Sequence, residues 1–238
     1  MRAFVLFCAA IFVSAAVVSG QRADKELVAT ITGPMLKGGI VAGLAWEGGT
    51  LIIQSAAMEP TGALKAGYFT TEGRGMDVVP LKDAPPGLAE YWKKKSSRTS
   101  PTGLGRITTA RDARLPMYGI ASLEQRLADA HEMGGTQQSH ELRLEGTIIH
   151  ARQGSIEPYD GEVWSWSPAE LNRIAYVDGN GDLWIARADG SRSERLMKGA
   201  FTLPAWSEDG RILAVAERKD GGRRWEISVI HLPEQHRR

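Results

Sequence analysis

The sequence predicts an all-β protein, a small β-propeller of about four to five blades. Three observations carry that expectation. A tryptophan-serine pair recurs, at Trp166-Ser167 and Trp206-Ser207, with the spacing of about 40 residues that propeller blades show. Short apolar segments follow each pair: Ile174-Ala175-Tyr176-Val177 after the first, Leu213-Ala214-Val215-Ala216 after the second. Glycine turns separate the strands, at Asp178-Gly179-Asn180-Gly181, Asp189-Gly190, Asp209-Gly210 and Asp220-Gly221. Such pairs supply the positive φ that tight hairpins require.

The chain of 238 residues opens with an apolar leader. Residues 1–20 hold Arg2, then an apolar run that ends in Ser14-Ala15-Ala16 and Val18-Ser19-Gly20, small residues suited to signal peptidase. The run falls short of the roughly 20 residues that a membrane span needs. A cleaved signal peptide is therefore expected, with a periplasmic or secreted product and no stable membrane span after cleavage. Cys8, the single cysteine, lies within the leader, so the mature chain has no thiol chemistry to offer.

Residues 21–238 form the expected repeat domain. Its weaker upstream units begin at Trp46, which leads into Leu51-Ile52-Ile53, and at Ala121-Ser122, ahead of Glu141-Leu142-Arg143-Leu144. Second strands are expected at Asp182-Leu183-Trp184-Ile185 and Glu226-Ile227-Ser228-Val229. The chain is too short for six or seven ordinary blades, which leaves four or five, or an incomplete ring. Residues 82–105, with Pro85-Pro86, Lys93-Lys94-Lys95 and Arg98, show no repeat and are expected to be an irregular, exposed basic insertion. Only Ser122 to Met133 has a helical composition.

Trp166-Ser167-Pro168, Arg173-Ile174-Ala175-Tyr176-Val177, Gly181-Asp182-Leu183-Trp184-Ile185 and Ala188-Asp189-Gly190 together resemble the WD-like propeller repeat of the TolB family. Pro204-Ala205-Trp206-Ser207-Glu208-Asp209-Gly210-Arg211 repeats its opening. The resemblance is best over residues 162–232, and departs from the pattern at Ala169-Glu170, where an aspartate-glycine turn would stand. It implies an exported platform whose loop-lined face recruits another envelope or secreted protein.

Charge points away from nucleic acid. Lys+Arg 29 against Asp+Glu 28 gives +1, without the basic excess that a phosphate backbone demands. No G-x-S-x-G, phosphate loop or dinucleotide fingerprint occurs, and no cofactor is implied. The expected function is thus a non-catalytic binding module, not an enzyme. The alternatives are a glycan-binding or glycan-acting small propeller and a fragment of a longer propeller protein.

Trp46, Trp166 and Trp206 recur in one register, which assigns them to packing between blades. Trp164 and Trp184 fall outside that register and are the candidate sugar or peptide contacts. Asp178, Asn180 and Asp182 alternate as the oxygen donors of a calcium loop do, but Leu183 stands where such loops need glycine. A hairpin turn accounts for the same residues and is the favoured reading. His131 and His140 flank Gly134-Gly135 and are expected to be polar residues of a hairpin.

Overall fold

The computed structural model describes residues 23–37, 39–61, 64–71, 78–95, 97–109, 138–154 and 163–236. The leader, His131 and the helical-composition segment lie outside the described residues, and the side chain of His140 does too. Among the described residues no helix is long and apolar enough to cross a membrane.

The chain is all-β, in four antiparallel sheets. Sheet 1 comprises β2 (Ile40–Glu47), β3 (Thr50–Met58), β4 (Leu64–Thr71) and β5 (Val78–Leu81) in that order. Sheet 2 has β6 (Ile107–Thr109), β7 (Gln138–Leu144) and β8 (Thr147–Gly154). Sheet 3 has β9 (Trp164–Trp166), β10 (Arg173–Val177), β11 (Leu183–Arg187) and β12 (Glu194–Met197). Sheet 4 joins the two ends of the described chain: β1 (Asp24–Thr32) pairs with β15 (Arg224–His231), which continues to β14 (Ile212–Lys219) and β13 (Phe201–Trp206).

The strands expected from the repeat register are present at β10, β11, β14 and β15. Residues between successive strands carry the turns. Ser207 Oγ accepts from the Ile212 amide at 3.0 Å, and Ser167 Oγ from the Arg173 amide at 2.9 Å, so each serine after a repeat tryptophan holds the start of the next strand.

Sheets meet through apolar faces, and four clusters result. Sheets 1 and 4 share Leu44, Trp46, Ile53, Ala214, Trp225 and Ile227, all buried. Sheets 3 and 4 share Val177, Ile185, Trp206, Leu213, Val215 and Ile230. Leu142, Leu144 and Ile149 of sheet 2 pack on Trp164, Trp166 and Ile174 of sheet 3. The fourth cluster is smaller: Ala45 and Ile52 of sheet 1 against Leu88. Burial of this kind is the dominant favourable contribution to folding.

Residues 82–105 correct the expectation of an irregular, exposed insertion. They contain a helix, α2 (Leu88–Lys95), the second after the single turn α1 (Gly33–Leu36), and it packs against β2 and β9. Leu88, Tyr91, Trp92 and Lys95 follow the i, i+3, i+4, i+7 spacing of one helical face. Glu90 in the first turn and three lysines in the last suit the helix dipole. Lys95 is 3% exposed, and its ammonium donates to Leu44 O at 3.2 Å while standing 4.5 Å from the centre of the Trp92 ring. Gly43 is required beneath that ring, since a Cβ there would come within 2.4 Å of a Trp92 carbon.

Candidate functional site

Sheet 3 carries the sequence-predicted candidates in one cross-strand row. Trp164 pairs with Tyr176, Tyr176 with Trp184, and Trp184 with Arg195. Because side chains alternate across a sheet, directly paired residues project from the same face. The row therefore runs from Trp164 on the edge strand β9, through two more aromatics, to the Arg195 guanidinium on the opposite edge strand, β12.

The two tryptophans part company here. Trp164 is 5% exposed, buried in the core between sheets 2 and 3, which removes it as a surface contact. Sheet 2 covers it, and nothing in its own repeat announces that cover. Trp184 is half-buried and stacks on Tyr176, with ring centres 6.3 Å apart and planes 8° from parallel. Its indole donates to Asp178 Oδ2 at 3.0 Å. Burial pushes the Tyr176 hydroxyl pKa up, and the hydroxyl shares a hydrogen bond with Ser193.

Asp178 organises the adjoining turn. Its Oδ1 accepts from the amides of Asn180 at 2.9 Å and Asp182 at 3.0 Å, while Oδ2 takes the Trp184 indole. The Asp182 carboxylate is equally committed, accepting from the Gly199 amide at 3.1 Å and from Arg195 at 3.1 Å. Gly181 takes φ +88, the left-handed region that glycine enters without steric cost. Gly179 approaches sheet 2 so closely that a Cβ would lie 1.9 Å from Ala151 O. The oxygens of Asp178 and Asp182 that would face a calcium ion thus build a hairpin instead. Among the described residues no group of three or more His, Cys, Asp or Glu side chains is placed to hold a metal.

A second polar cluster escaped the sequence reading. Glu217, on β14, is 5% exposed and receives the ammonium groups of Lys25 and Lys219 on its two oxygens. Burial raises its pKa, but the two lysines outweigh burial and hold the carboxyl below its ordinary value. Lys219 also lies 3.7 Å from Glu226, which Arg224 approaches at 3.4 Å. Every charge in this group has a partner of opposite sign, so it reads as a structural network. Strand alternation hides such a cluster, because its members come from β1, β14 and β15.

The repeat tryptophans are bound across sheets. Trp46 Nε1 donates to Ala205 O at 3.0 Å, Trp206 Nε1 to Ser165 O at 3.0 Å, and Trp166 Nε1 to Ser97 O. The first two acceptors directly precede Trp206 and Trp166, while Ser97 lies two residues before Thr99, which bridges to Arg106 as Trp206 pairs with Leu213 and Trp166 with Ile174. The segment after α2 also repeats the serine turn, with Ser100 Oγ accepting from the Gly105 amide at 3.0 Å. Lys95 and Leu44 O then join this segment back to sheet 1.

No family model and no curated protein matches this chain. Among solved structures, the chain is similar to a Xanthomonas campestris protein described as a gluconolactonase important in glucose secondary metabolic pathways, at 12% identity and a TM-score of 0.32, covering 89% of this chain and 90% of that one. That neighbour is described as an enzyme, so the expectation of a non-catalytic binding module, and of no enzymatic activity, is corrected and withdrawn. A likeness at this score gives the chain no activity, substrate or site residue.

Proposed function

We propose that the chain is an exported four-bladed propeller of TolB-like repeats that engages a saccharide at the outer part of sheet 3. The propeller arrangement is supported by the relay of indole-to-carbonyl bonds from sheet 1 to 4, 4 to 3 and 3 to the segment after α2. Lys95 supplies the fourth link. Strand β1, paired to β15, would then close the ring by uniting the two ends in one blade. Export rests on the leader in residues 1–20.

The saccharide reading rests on one observation, the half-buried Trp184 ring. It is held flat against Tyr176, with Asp178 and the exposed Arg195 beside it. An aromatic face binds the apolar C–H side of a sugar ring, and a neighbouring carboxylate or guanidinium takes its hydroxyls. The hydrogen bonds at Asp178 fix the ring orientation before any ligand arrives, which lowers the entropy cost of binding.

Calorimetric titration of the mature chain against a panel of neutral and acidic oligosaccharides tests this. Saturable binding to one of them is expected, weakened about tenfold or more in Trp184→Ala, a loss of about 1.4 kcal/mol or more. A mature chain that binds no oligosaccharide in the panel, or a Trp184→Ala variant that binds as well as wild type, would overturn the reading.

A further inference from the structure

The chain has two asparagines, Asn172 and Asn180, and the fold treats them differently. Asn172 is half-buried, and its Oδ1 accepts from Thr102 Oγ1 at 2.6 Å. It precedes Arg173, whose amide is held by Ser167 Oγ. Asn180 is exposed in the turn between β10 and β11 and precedes Gly181. Among the described residues no hydrogen bond holds its carboxamide; only its main-chain amide is engaged.

That difference has a chemical consequence. Asparagine is thermolabile because the amide nitrogen of the following residue can attack its side-chain carbonyl carbon. A glycine in that position has no side chain to obstruct the approach. Here a bond forms from Gly181 N to Asn180 Cγ, the Cγ–N bond of the carboxamide breaks, and the proton of the Gly181 amide leaves with the ammonia. Water then opens the resulting succinimide at either carbonyl, giving aspartate or isoaspartate at position 180. Water is the only co-reactant. The turn controls access to the attacking atom, because the Gly181 amide donates to Asp178 O at 3.0 Å. Asp178 Oδ1 closes the turn further by accepting from the amides of Asn180 and Asp182, on either side of Gly181. Attack requires the bond at Gly181 N to open first.

We propose that Asn180 is a site of spontaneous deamidation, gated by the Asp178 turn. Isoaspartate diverts the main chain through the former side chain and adds a methylene between Asp178 and Asp182. The closed turn has no room for it. A Cβ at Gly179 would already lie 1.9 Å from Ala151 O, and one at Gly181 3.0 Å from Ala200 Cα. The product therefore breaks the turn whose Asp178 carboxylate orients the Trp184 indole, and it adds a negative charge beside Asp178 and Asp182. The site needs no ligand, so it stands independently of the saccharide reading.

Ageing the full chain at body temperature in mildly alkaline buffer, followed by peptide mapping that resolves isoaspartate, tests it. The same chain kept unfolded in guanidinium chloride gives the ungated rate. In the folded chain Asn180 is expected to convert about tenfold or more slowly than in the unfolded one, because local opening must precede attack, while Asn172 stays intact. In Asp178→Ala the folded rate should rise about fivefold or more, the factor that losing about one hydrogen bond gives. Ageing should also lower the melting temperature of wild type and leave that of Asn180→Gln unchanged. Asn180 still intact in the folded chain once the unfolded chain has fully converted, or Asn172 converting alongside it, would overturn the site. Equal rates in folded and unfolded wild type would overturn the gate even if Asp178→Ala fails to fold. So would a folded Asp178→Ala chain that converts no faster than wild type.

Discussion

The junction between sheets 3 and 4 and the junction between sheet 1 and α2 solve the same packing problem with different chemistry. At the first, Trp206 fills an apolar core with Val177, Ile185, Leu213 and Val215, and its indole nitrogen finds Ser165 O. At the second, the apolar core shrinks to Ala45, Ile52 and Leu88, and the donor to the neighbouring carbonyl is the Lys95 ammonium. The indole brings a large hydrophobic area together with one hydrogen bond. The lysine brings a hydrogen bond and a cation over Trp92, but a charge that resists burial. The lesson is that a residue outside the repeat register can take over the hydrogen-bonding role of a repeat tryptophan without most of its packing.

The largest expected effect breaks the first junction. Trp206→Ala should lower stability by about 3–5 kcal/mol, the usual result of truncating a large buried aromatic. Chemical denaturation read by circular dichroism measures it. A cost near zero would mean that Trp206 does not hold sheets 3 and 4 together.

Much of this was legible in the sequence, and the reason is spacing. Trp46, Trp166 and Trp206 recur in register because each does the same work, donating its indole N–H to the carbonyl of a small residue on a neighbouring segment. The turn at Asp178 was legible because Gly179 and Gly181 announce it. The strand of the fourth unit at Glu141-Leu142-Arg143-Leu144 was legible, but its opening was not, because Thr99 stands where tryptophan is expected and a helix precedes it. The face formed by Leu88, Tyr91, Trp92 and Lys95 was present as a pattern, but a lysine at its last position disguised it. Trp164 was misjudged for a different reason. Its burial comes from sheet 2, whose strands lie distant in sequence, and local alternation cannot report that.

The second junction is expected to be weaker, and Lys95→Met sharpens the contrast. The substitution keeps a long side chain but leaves Leu44 O without this donor, at a cost of about 1–3 kcal/mol. Lys94, exposed on the same helix and 3.7 Å from Glu90, provides the control: Lys94→Ala should stay within about 0.5 kcal/mol. The same denaturation experiment separates them. If the two lysine variants behave alike, the ammonium of Lys95 is not what closes this junction.

The smallest effect is a pH dependence confined to the regular junction. After β15 the chain crosses from sheet 4 towards sheet 3. Leu232 is buried in their shared core, and His236 is buried beside Glu194 and Arg173. Burial lowers the His236 pKa from its ordinary value of 6.5; Glu194 raises it, and Arg173 lowers it again, leaving the net direction downward. The unfolded chain therefore takes up a proton at a higher pH than the folded one. Stability from this group is complete above about pH 6.5 and declines as pH falls from there towards the lower folded value, since the unfolded state binds more protons in that window. Denaturation midpoints measured at intervals from pH 8 to pH 5 should fall below about pH 6.5 in wild type, and fall less in His236→Gln. Glu217 cannot mimic this, because its pKa is held below the ordinary carboxylate value and its loss belongs to more acidic solution. An identical decline in wild type and His236→Gln would place the titrating group elsewhere. The contact between His236 and sheet 3 would then carry no pH dependence at the junction of sheets 3 and 4.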